Sequence, residues 1–320
     1  MSIKSDFDVV VRFTTSREIP PDLKEVRLGS YKIRSIPSVR SLLTPRPDEA
    51  LLEFLDFWQE GQMVSNPETE AHYILALLSV LGRTIISFDS VKVNNVNVTY
   101  ETSRAFKQFI GKLDLPSDFQ DIYQSLFSLD EKVFSQYIRS CTTYRNAISV
   151  IHENPTLGCF LLVVAVECLS NTVAKGEGVF EKFCNFIIDY LPPEIQNEET
   201  DKELLVELLS QIYKDYRSGF THGGRPISSA SWGLAERVKM KYIKVIEEGR
   251  EVKKPSLTWF ENIVRGVLIH YLRKAWKGNK VEENRSRLVQ LAVSEGVVVM
   301  KLKKSKRAGE FVFSGDVEVK

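Results

Sequence analysis

The most apolar segment of the chain is Asn154-Pro-Thr-Leu-Gly-Cys-Phe-Leu-Leu-Val-Val-Ala-Val-Glu-Cys-Leu169, and the interpretation of the fold starts from it. A proline in the first turn and the apolar run behind it predict a helix from 155 to 174. The unbroken apolar run from 159 to 166 has eight residues, whereas a membrane-spanning helix needs about 20. We therefore expect a helix buried in a protein core and no contact with a membrane.

Helical periodicity continues on both sides of this stretch, from about residue 103 over roughly 175 residues. Further helices are predicted at 118–127, 130–152, 179–190, 202–219 and 256–277. Proline and glycine interrupt helices, and they lie between these segments at Asn154-Pro155, Gly176, Gly178, Pro192-Pro193 and Gly223-Gly224. Residues 106–278 are thus interpreted as a bundle made entirely of helices.

The first hundred residues mix two periodicities. Alternating apolar residues predict strands at 7–13 and 26–33, and β structure again from 84 to 100. A proline and two acidic residues precede an apolar pattern that we interpret as a helix, carrying Leu51, Leu52, Phe54, Leu55 and Trp58. A second helix is predicted at 68–81. Residues 1–105 are therefore expected to form an α+β domain, whose role the sequence does not indicate.

The last segment, residues 279–320, predicts a helix at 281–294 and a short basic β-hairpin from 297–302 and 310–313. Residues 236–320 hold 20 Lys and Arg against 11 Asp and Glu, a charge of +9 in a chain whose total is +1. The cations of the hairpin that would bind RNA phosphates are Lys301, Lys303, Lys304 and Arg307. Lysines that protect a sheet edge from aggregation form the same pattern, and both interpretations stay open.

Composition narrows the classes of function. The chain has 320 residues, of which 43% are apolar and 27% charged, as in ordinary globular proteins. It contains no Gly-x-x-x-x-Gly-Lys phosphate loop, no dinucleotide glycine fingerprint, no Gly-x-Ser-x-Gly and no His-Glu-x-x-His. These gaps argue against the common nucleotide-hydrolysing, hydride-transferring, serine-hydrolase and zinc-protease sites. We expect no cofactor.

The cysteines indicate a reducing compartment. Four are present, at Cys141, Cys159, Cys168 and Cys184, with no Cys-x-x-Cys pair and no histidine at ligand spacing. We interpret them as small buried apolar residues rather than metal ligands or disulfides. The first residues also lack the apolar segment of a secretory signal. A cytoplasmic protein without a bound metal is therefore expected.

One histidine differs from the other three. His72, His152 and His270 lie beside or within predicted helices and are expected to have structural or surface roles. His222 instead follows Arg217 by five residues in a glycine-rich segment. On a regular helix these two side chains would point about 140° apart, so the helix must unwind if they are to meet. A guanidinium beside an imidazole suits phosphoryl chemistry. Alternatively, Arg217 forms a salt bridge in the bundle and His222 caps the helix.

The segment Tyr213-Lys-Asp-Tyr-Arg-Ser-Gly-Phe-Thr-His-Gly-Gly224 resembles the Arg-x-x-x-x-His signature of HEPN domains, in particular of the Apea-like HEPN group. A proline-started apolar helix that ends in a glutamate and a leucine is the group's second stretch, and residues 154–169 are similar to it. The resemblance covers 118–277. It implies a HEPN-like helical bundle that pairs with a second copy, with Arg217 and His222 at the catalytic positions and Ser218 at the polar position after the arginine.

The activity that the resemblance implies is metal-independent cleavage of RNA, as in toxins, defence systems and RNA processing. The ribose 2′-hydroxyl would attack its own phosphate and leave 2′,3′-cyclic phosphate and 5′-hydroxyl ends. The reaction needs two proton carriers, one to accept a proton and one to donate it, and His222 is the one candidate in each subunit. A homodimer would supply the second histidine. The alternative is a catalytically silent HEPN module that binds a nucleotide, RNA or protein ligand in the same cleft.

Glu167 and Tyr213 are candidates for supporting roles. Glu167 lies in an apolar run, where an unpaired carboxylate would cost several kcal/mol. We hypothesise that it pairs with Arg217 and orients the guanidinium; alternatively, it points to water or accepts a backbone hydrogen bond. Tyr213 and Tyr216 precede Arg217 by a turn or less, where either could stack on an RNA base or pack in the core.

Overall fold

The computed structural model of the chain describes residues 9–17, 19, 25–36, 48–54, 58–59, 62–63, 66–93, 96–99, 113, 115–198, 202–218, 241–247, 249–276, 285–295, 302–304 and 311–313. Within these residues an N-terminal antiparallel sheet precedes a mostly helical remainder. The prediction of an α+β beginning followed by a mainly helical region is confirmed at this level.

The N-terminal strands are β1 (Val9–Thr15), β2 (Glu25–Leu28), β3 (Tyr31–Ile36), β4 (Asp48–Phe54), β5 (Trp58–Gln59), β6 (Gln62–Met63), β7 (Ile86–Val93) and β8 (Val96–Thr99). Six of them form one antiparallel sheet in the order β2-β3-β4-β1-β7-β8, while β5 and β6 pair separately. Strand β1 and the β structure expected from 84 to 100 are confirmed.

Strand β4 contradicts the helix that was predicted there. It pairs with both β1 and β3, which makes it an interior strand of the sheet. Leu51 and Leu52 point to opposite faces, yet both are buried. A strand covered on both faces shows no polar alternation, and a short apolar run cannot then be distinguished from a buried helix.

The single strand predicted at 26–33 is also wrong. Gly29, with a φ of 55°, and Ser30 form a turn that separates β2 from β3. The two strands pair across it from Leu28 and Tyr31 outward. Glycine accepts this left-handed conformation without a steric penalty, so the run folds back as a hairpin.

The helices are α1 (Pro67–Gly82), α2 (Phe119–Leu126), α3 (Glu131–Val150), α4 (Pro155–Val173), α5 (Val179–Tyr190), α6 (Pro193–Glu198), α7 (Lys202–Ile212), α8 (Leu257–Ala275) and α9 (Arg285–Glu295). Of these, only the short α6 was not predicted. Side chains of Asn66, Asp130, Asn154 and Ser256 accept backbone hydrogen bonds at the starts of α1, α3, α4 and α8. Such caps explain why the sequence located the helix starts within a few residues.

The helical region is not made of helices alone, which corrects the prediction of an all-helical bundle. Strands β9 (Tyr242–Glu247) and β10 (Arg250–Pro255) form an antiparallel hairpin immediately before α8. Gly249 has a φ of 77° in the turn between them. The hairpin packs against α7 through β10.

Helix α4 is a core helix of the region. It packs against α3, α5 and α8, and more than half of its most apolar 18-residue window is buried. Among the described helices, α4 is the one long and apolar enough to cross a membrane by length and composition. Gly158 lets the preceding turn approach this helix, because a Cβ there would lie 2.7 Å from the Cα of Ile151.

The sheet and the helices share one hydrophobic cluster. Helix α1 joins them, since it contacts β7 as well as α3, α8 and α9. A helix enclosed in this way is apolar on nearly all faces. The domain boundaries at 105 and 278 stay a prediction.

In the C-terminal segment, helix α9 confirms the expected helix, and strands β11 (Leu302–Lys304) and β12 (Phe311–Phe313) pair antiparallel. The residues that would form the turn of a hairpin, 305–310, lie outside the described part. The side chains of both strands do too, so the basic hairpin stays a prediction.

Candidate functional site

The candidate site begins where α7 changes its helical form. The helix was expected to run to 219, but its α-helical part ends at Ile212, and residues Tyr213–Ser218 form a π-helical turn. A π-helix has hydrogen bonds from i to i+5 and a wider turn than an α-helix, and such turns recur at functional sites. The chain thus departs from a regular α-helix in a turn that includes Arg217, while the unwinding expected at Gly219 and beyond lies outside the described residues.

Glu167 on α4 meets this turn. The Nε of Arg217 lies 3.3 Å from each carboxylate oxygen of Glu167, and the Tyr213 hydroxyl donates a hydrogen bond of 2.7 Å to Oε1. The hypothesised pairing of Glu167 with Arg217 is present, and the alternative in which Glu167 points to water is not observed. We call Glu167, Tyr213 and Arg217 the Glu167 cluster.

The carboxylate of Glu167 is buried, whereas the arginine reaches the surface. The side chain of Glu167 is 9% exposed and that of Arg217 is 31% exposed. A buried carboxylate is costly unless charged or polar partners bind it, and here two partners do. The guanidinium also lies over the ring of Phe160, 5.8 Å from its centroid. It is therefore held on one side and open to solvent on part of its surface.

Tyr213 packs against the hydrophobic core and binds Glu167 through its hydroxyl. Its ring packs against Phe180 and Phe183, with centroid distances of 5.1 and 5.4 Å. Burial and the hydrogen bond to Glu167 raise the pKa of Tyr213 to about 12. The phenol thus remains a donor at neutral pH, and its half-buried ring packs against the core. The side chain of Tyr216 lies outside the described residues.

Two ion pairs attach the β9–β10 hairpin to α7 and its π-helical turn. Lys254 Nζ lies 2.8 Å from Asp215 Oδ2, and Lys253 Nζ lies 2.8 Å from Glu207 Oε2. Asp215 precedes Arg217 by two residues in the π-helical turn. Sequence reasoning missed Lys254 and Asp215, although the alternation of 242–247 and the Glu-Gly at 248–249 are signals of a hairpin.

Several predicted site residues lie outside the described residues. They are His222, Lys301 and Arg307, together with the side chains of Ser218, Lys303 and Lys304. The backbone of Ser218 belongs to the π-helical turn, and the two lysines belong to β11. The convergence of Arg217 with His222 therefore stays a prediction, as does the RNA-binding role of the basic tail.

The other histidines have the structural surroundings expected of them. Arg145 donates to the backbone oxygen of His72 and lies 3.0 Å from its Nδ1. Burial, followed by the nearby Arg145, lowers the pKa of His72 to about 3, so the ring is neutral and Nδ1 accepts. Burial also lowers the pKa of His270, and His152 is exposed after the end of α3.

The cysteines are free thiols. Cys141, Cys159 and Cys184 are buried, as predicted, whereas Cys168 is half-buried. Burial raises the pKa of the Cys184 thiol to about 12 and that of Cys159 well above its usual value. A protonated thiol is a poor nucleophile. In the part of the chain that the structure describes, no three metal-binding side chains come together.

Two cations in the last turn of α8 bind other parts of the chain. In the structure Arg273 forms a bidentate salt bridge with Asp118, at 2.7 and 2.8 Å. Lys274 Nζ lies over the ring of Tyr190, 5.1 Å from its centroid. These two cations thus have intramolecular roles.

Comparisons with known proteins identify no family for this chain. No family model, no curated protein and no solved structure matches this chain.

Proposed function

We propose that the chain is a HEPN-type protein of the Apea-like kind that cleaves RNA without a metal ion, as a homodimer in the cytoplasm. The observation that carries the proposal is the Glu167 cluster. It joins the two stretches of sequence on which the resemblance depends, 50 residues apart, through an ion pair at a π-helical turn. That turn presents a fixed, partly exposed guanidinium five residues before His222.

The proposed reaction is a transesterification. The ribose 2′-oxygen attacks the adjacent phosphorus, the bond from phosphorus to the 5′-oxygen breaks, and a cyclic phosphate forms. An imidazole of His222 accepts the 2′-hydroxyl proton, and a second imidazole, from the partner subunit, donates a proton to the leaving oxygen. Arg217 stabilises the added negative charge on the phosphate oxygens. Glu167 and Tyr213 hold the guanidinium in position, and Ser218 adds a polar group beside it.

A surface suited to dimerisation lies next to Arg217. Half-buried residues spaced three or four apart run along one side of α4: Leu157, Phe160, Leu161, Val164 and Cys168. Such spacing makes a continuous helical face. Because Phe160 contacts the Arg217 guanidinium, two copies packed through this face would bring their two arginines to one cleft. A two-fold axis would make the contact self-complementary.

The basic tail is a second proposed contact with RNA. Lys301, Lys303, Lys304 and Arg307 would bind phosphates without reading sequence. Their contribution would appear as a dependence of RNA affinity on salt. Cleavage itself would still depend on Arg217 and His222.

The decisive experiment is RNA cleavage in EDTA by the purified full-length chain. We expect cleavage of labelled single-stranded RNA to 2′,3′-cyclic phosphate ends, and its loss in both Arg217→Ala and His222→Ala. Replacement of each attacked ribose by deoxyribose should abolish cutting, because the nucleophile is removed. Arg139→Ala, on α3, is the matched arginine control. Folded protein that cuts no RNA would refute the proposal.

A catalytically silent HEPN module is the second candidate, and one observation favours it. Arg217 is bound by Glu167, which is also what an arginine with a purely structural role would do. This candidate predicts that Arg217→Ala and His222→Ala weaken the binding of a nucleotide, RNA or protein while no strand is cut. Light scattering on the intact chain tests the dimer that the enzyme requires.

A further inference from the structure

A cleft of about 380 Å³ lies beside α8, away from the Glu167 cluster. Its size falls within the range of small-molecule sites, about 300–1,000 Å³. One side of α8 forms its floor with Trp259, Asn262, Gly266 and Arg273. None of its lining residues belongs to the Glu167 cluster, so it is a separate site whose use does not depend on RNA cleavage.

Two prolines and a glycine shape the cleft. Pro116 and Pro192 line it, and the proline ring fixes the backbone at each of these positions. Gly266 allows Pro192 to approach α8, because a Cβ at 266 would lie 2.9 Å from the Cγ of Pro192. Because the proline backbone is fixed and Gly266 leaves room for Pro192, the lining of the cleft needs little rearrangement when a ligand enters, and this favours binding.

Two guanidiniums line the cleft, and the protein holds both in place. Arg265 donates from Nε to the backbone oxygen of Val80 at 2.7 Å, and also binds the oxygen of Leu81. Arg273 is fixed by its bidentate salt bridge with Asp118. A guanidinium with a fixed plane loses little entropy when it binds an anion, and its forked donors match phosphate oxygens.

The charge near Arg265 favours an anion more strongly than a single arginine would. Arg83 donates from Nε to Glu261 at 2.8 Å. Arg17 lies close enough that its pKa is lowered, first by burial and then by repulsion from Arg83 and from Arg265. Among the described residues of this cluster, three guanidiniums face one carboxylate, Glu261. Positive charges therefore outnumber negative ones around Arg265, whereas Arg273 lies beside the carboxylates of Asp118 and Glu194.

The rest of the lining suits a planar ring with polar edges. Trp259 offers an indole face, and Asn262 offers an amide that can both donate and accept. Glu194 lines the cleft as well and accepts hydrogen bonds such as those of sugar hydroxyls. We propose that this cleft binds a free mononucleotide, with its phosphate at Arg265 and its base against Trp259 and Asn262.

Titration of the full-length protein with adenosine 5′-monophosphate, followed by calorimetry, tests the proposal. Asn262→Asp keeps the size of the side chain but places a carboxylate in the cleft, and we expect its affinity to fall about tenfold or more. Asn146→Asp, at an exposed position of α3, makes the same chemical change elsewhere and should leave the affinity unchanged. Loss of affinity in Arg217→Ala with full affinity in Asn262→Asp would place the mononucleotide at the proposed catalytic site and overturn the assignment.

Three further ligands fix the chemical class. Adenosine and inorganic phosphate should each bind at least about tenfold more weakly than the mononucleotide, because each fills one part of the cleft. Phosphate that binds as tightly as the mononucleotide would overturn the assignment. If an oligoadenylate binds more tightly than the mononucleotide, and if Asn262→Asp weakens its affinity, the cleft binds an RNA strand. This outcome would also overturn the mononucleotide assignment.

If the folded protein shows no heat of binding at mononucleotide concentrations up to about 5 mM, the proposal is also overturned. If Asn262→Asp fails to fold, Trp259→Leu removes the stacking face and should reduce affinity by a similar factor. Retention of full affinity in the folded variant would place the ligand elsewhere.

Discussion

Among the described residues, three buried glutamates are each bound by a tyrosine and an arginine: Glu261 by Tyr144 and Arg83, and two others that lie in different surroundings. One belongs to the Glu167 cluster. The other is Glu70 on α1, which accepts from the hydroxyl of Tyr31 and from Arg285 Nε at 2.6 Å. We call Glu70, Tyr31 and Arg285 the Glu70 cluster. It joins the sheet, α1 and α9, just as the Glu167 cluster joins α4 to the π-helical turn.

The two clusters differ in the exposure of the arginine. Arg285 is 11% exposed and lies between the rings of Tyr31 and Phe54, 5.3 and 5.1 Å from their centroids. Arg217 is 31% exposed and lies over the ring of Phe160. The guanidinium of Arg285 therefore offers a ligand much less surface than that of Arg217. The same three residue types thus form a structural contact in one place and a candidate site in the other.

The largest effect is expected from breaking the Glu70 cluster. Arg285→Met leaves a buried carboxylate without its cation, and removal of one member of a buried pair costs about 3–5 kcal/mol in free energy of unfolding. Urea denaturation measures this. Arg285→Met combined with Glu70→Leu removes both charges and should recover much of the stability. A double variant no more stable than the single one would contradict the structural role.

A smaller effect on stability, but a larger one on activity, is expected in the Glu167 cluster. Glu167→Gln removes the charge that holds Arg217, and we expect a loss of about 1–3 kcal/mol in unfolding free energy. RNA cleavage should fall strongly, because the guanidinium is no longer held at one position. Glu203→Gln, exposed on α7, is the matched control. Unchanged cleavage in folded Glu167→Gln would exclude the positioning role.

The tyrosines of the two clusters provide a third comparison. Tyr213→Phe and Tyr31→Phe each remove one hydroxyl, at a cost of about 0.5–1.5 kcal/mol per hydrogen bond. Unfolding free energies from urea titrations of both variants measure these losses. A Tyr213→Phe variant as stable as the native chain would indicate that the hydroxyl contributes nothing to holding Glu167.

The same tyrosine predicts a dependence on alkaline pH. The pKa of Tyr213 is raised to about 12 in the folded chain, whereas an unfolded tyrosine titrates near 10. The unfolded state therefore loses its proton first, so this contribution to stability is complete below about pH 10 and decreases between about 10 and 12. Relative to Tyr213→Phe, the native chain should lose stability across that window. Parallel curves for the two proteins would contradict the assignment.

The smallest effect is expected at the hairpin. Lys254→Met removes the ion pair with Asp215, which should cost about 0–1 kcal/mol because the pair is near the surface. Cleavage should nevertheless decrease, since Asp215 lies in the turn that presents Arg217. Lys253→Met breaks the neighbouring pair with Glu207, outside the π-helical turn, and should affect cleavage less. Equal effects of the two variants on cleavage would mean that the turn does not depend on this contact.

Most helices were predictable because their signals are local. Caps and prolines at their starts act within a few residues, and the observed bounds of α3, α4 and α5 agree closely with the predicted ones. Strand β4 was not predictable, because its apolar residues on both faces reflect what lies above and below the sheet. The hairpin before α8 was missed, since helical segments on both sides outweighed a short alternation.

The pairing of Glu167 with Arg217 was predictable for an energetic reason. A carboxylate within an apolar run needs a partner, and that requirement can be inferred without coordinates. The role of Tyr213 as a second donor, and the attachment of the π-helical turn by Lys254, were not predictable in this way. Both depend on how α5 and the hairpin approach α7, which no local pattern specifies.

Residue types and spacing alone indicate that a buried apolar helix carries a glutamate in need of a cation, and that a glycine-rich helix end supplies an arginine. Both follow from local composition and from the cost of burying charge. Coordinates were needed to show that the Glu70–Arg285 pair is enclosed while the Glu167–Arg217 pair reaches the surface, and that a cleft lined by Arg265 lies beside α8. Exposure depends on the packing of segments distant in the chain, and residue types and spacing alone do not contain that information.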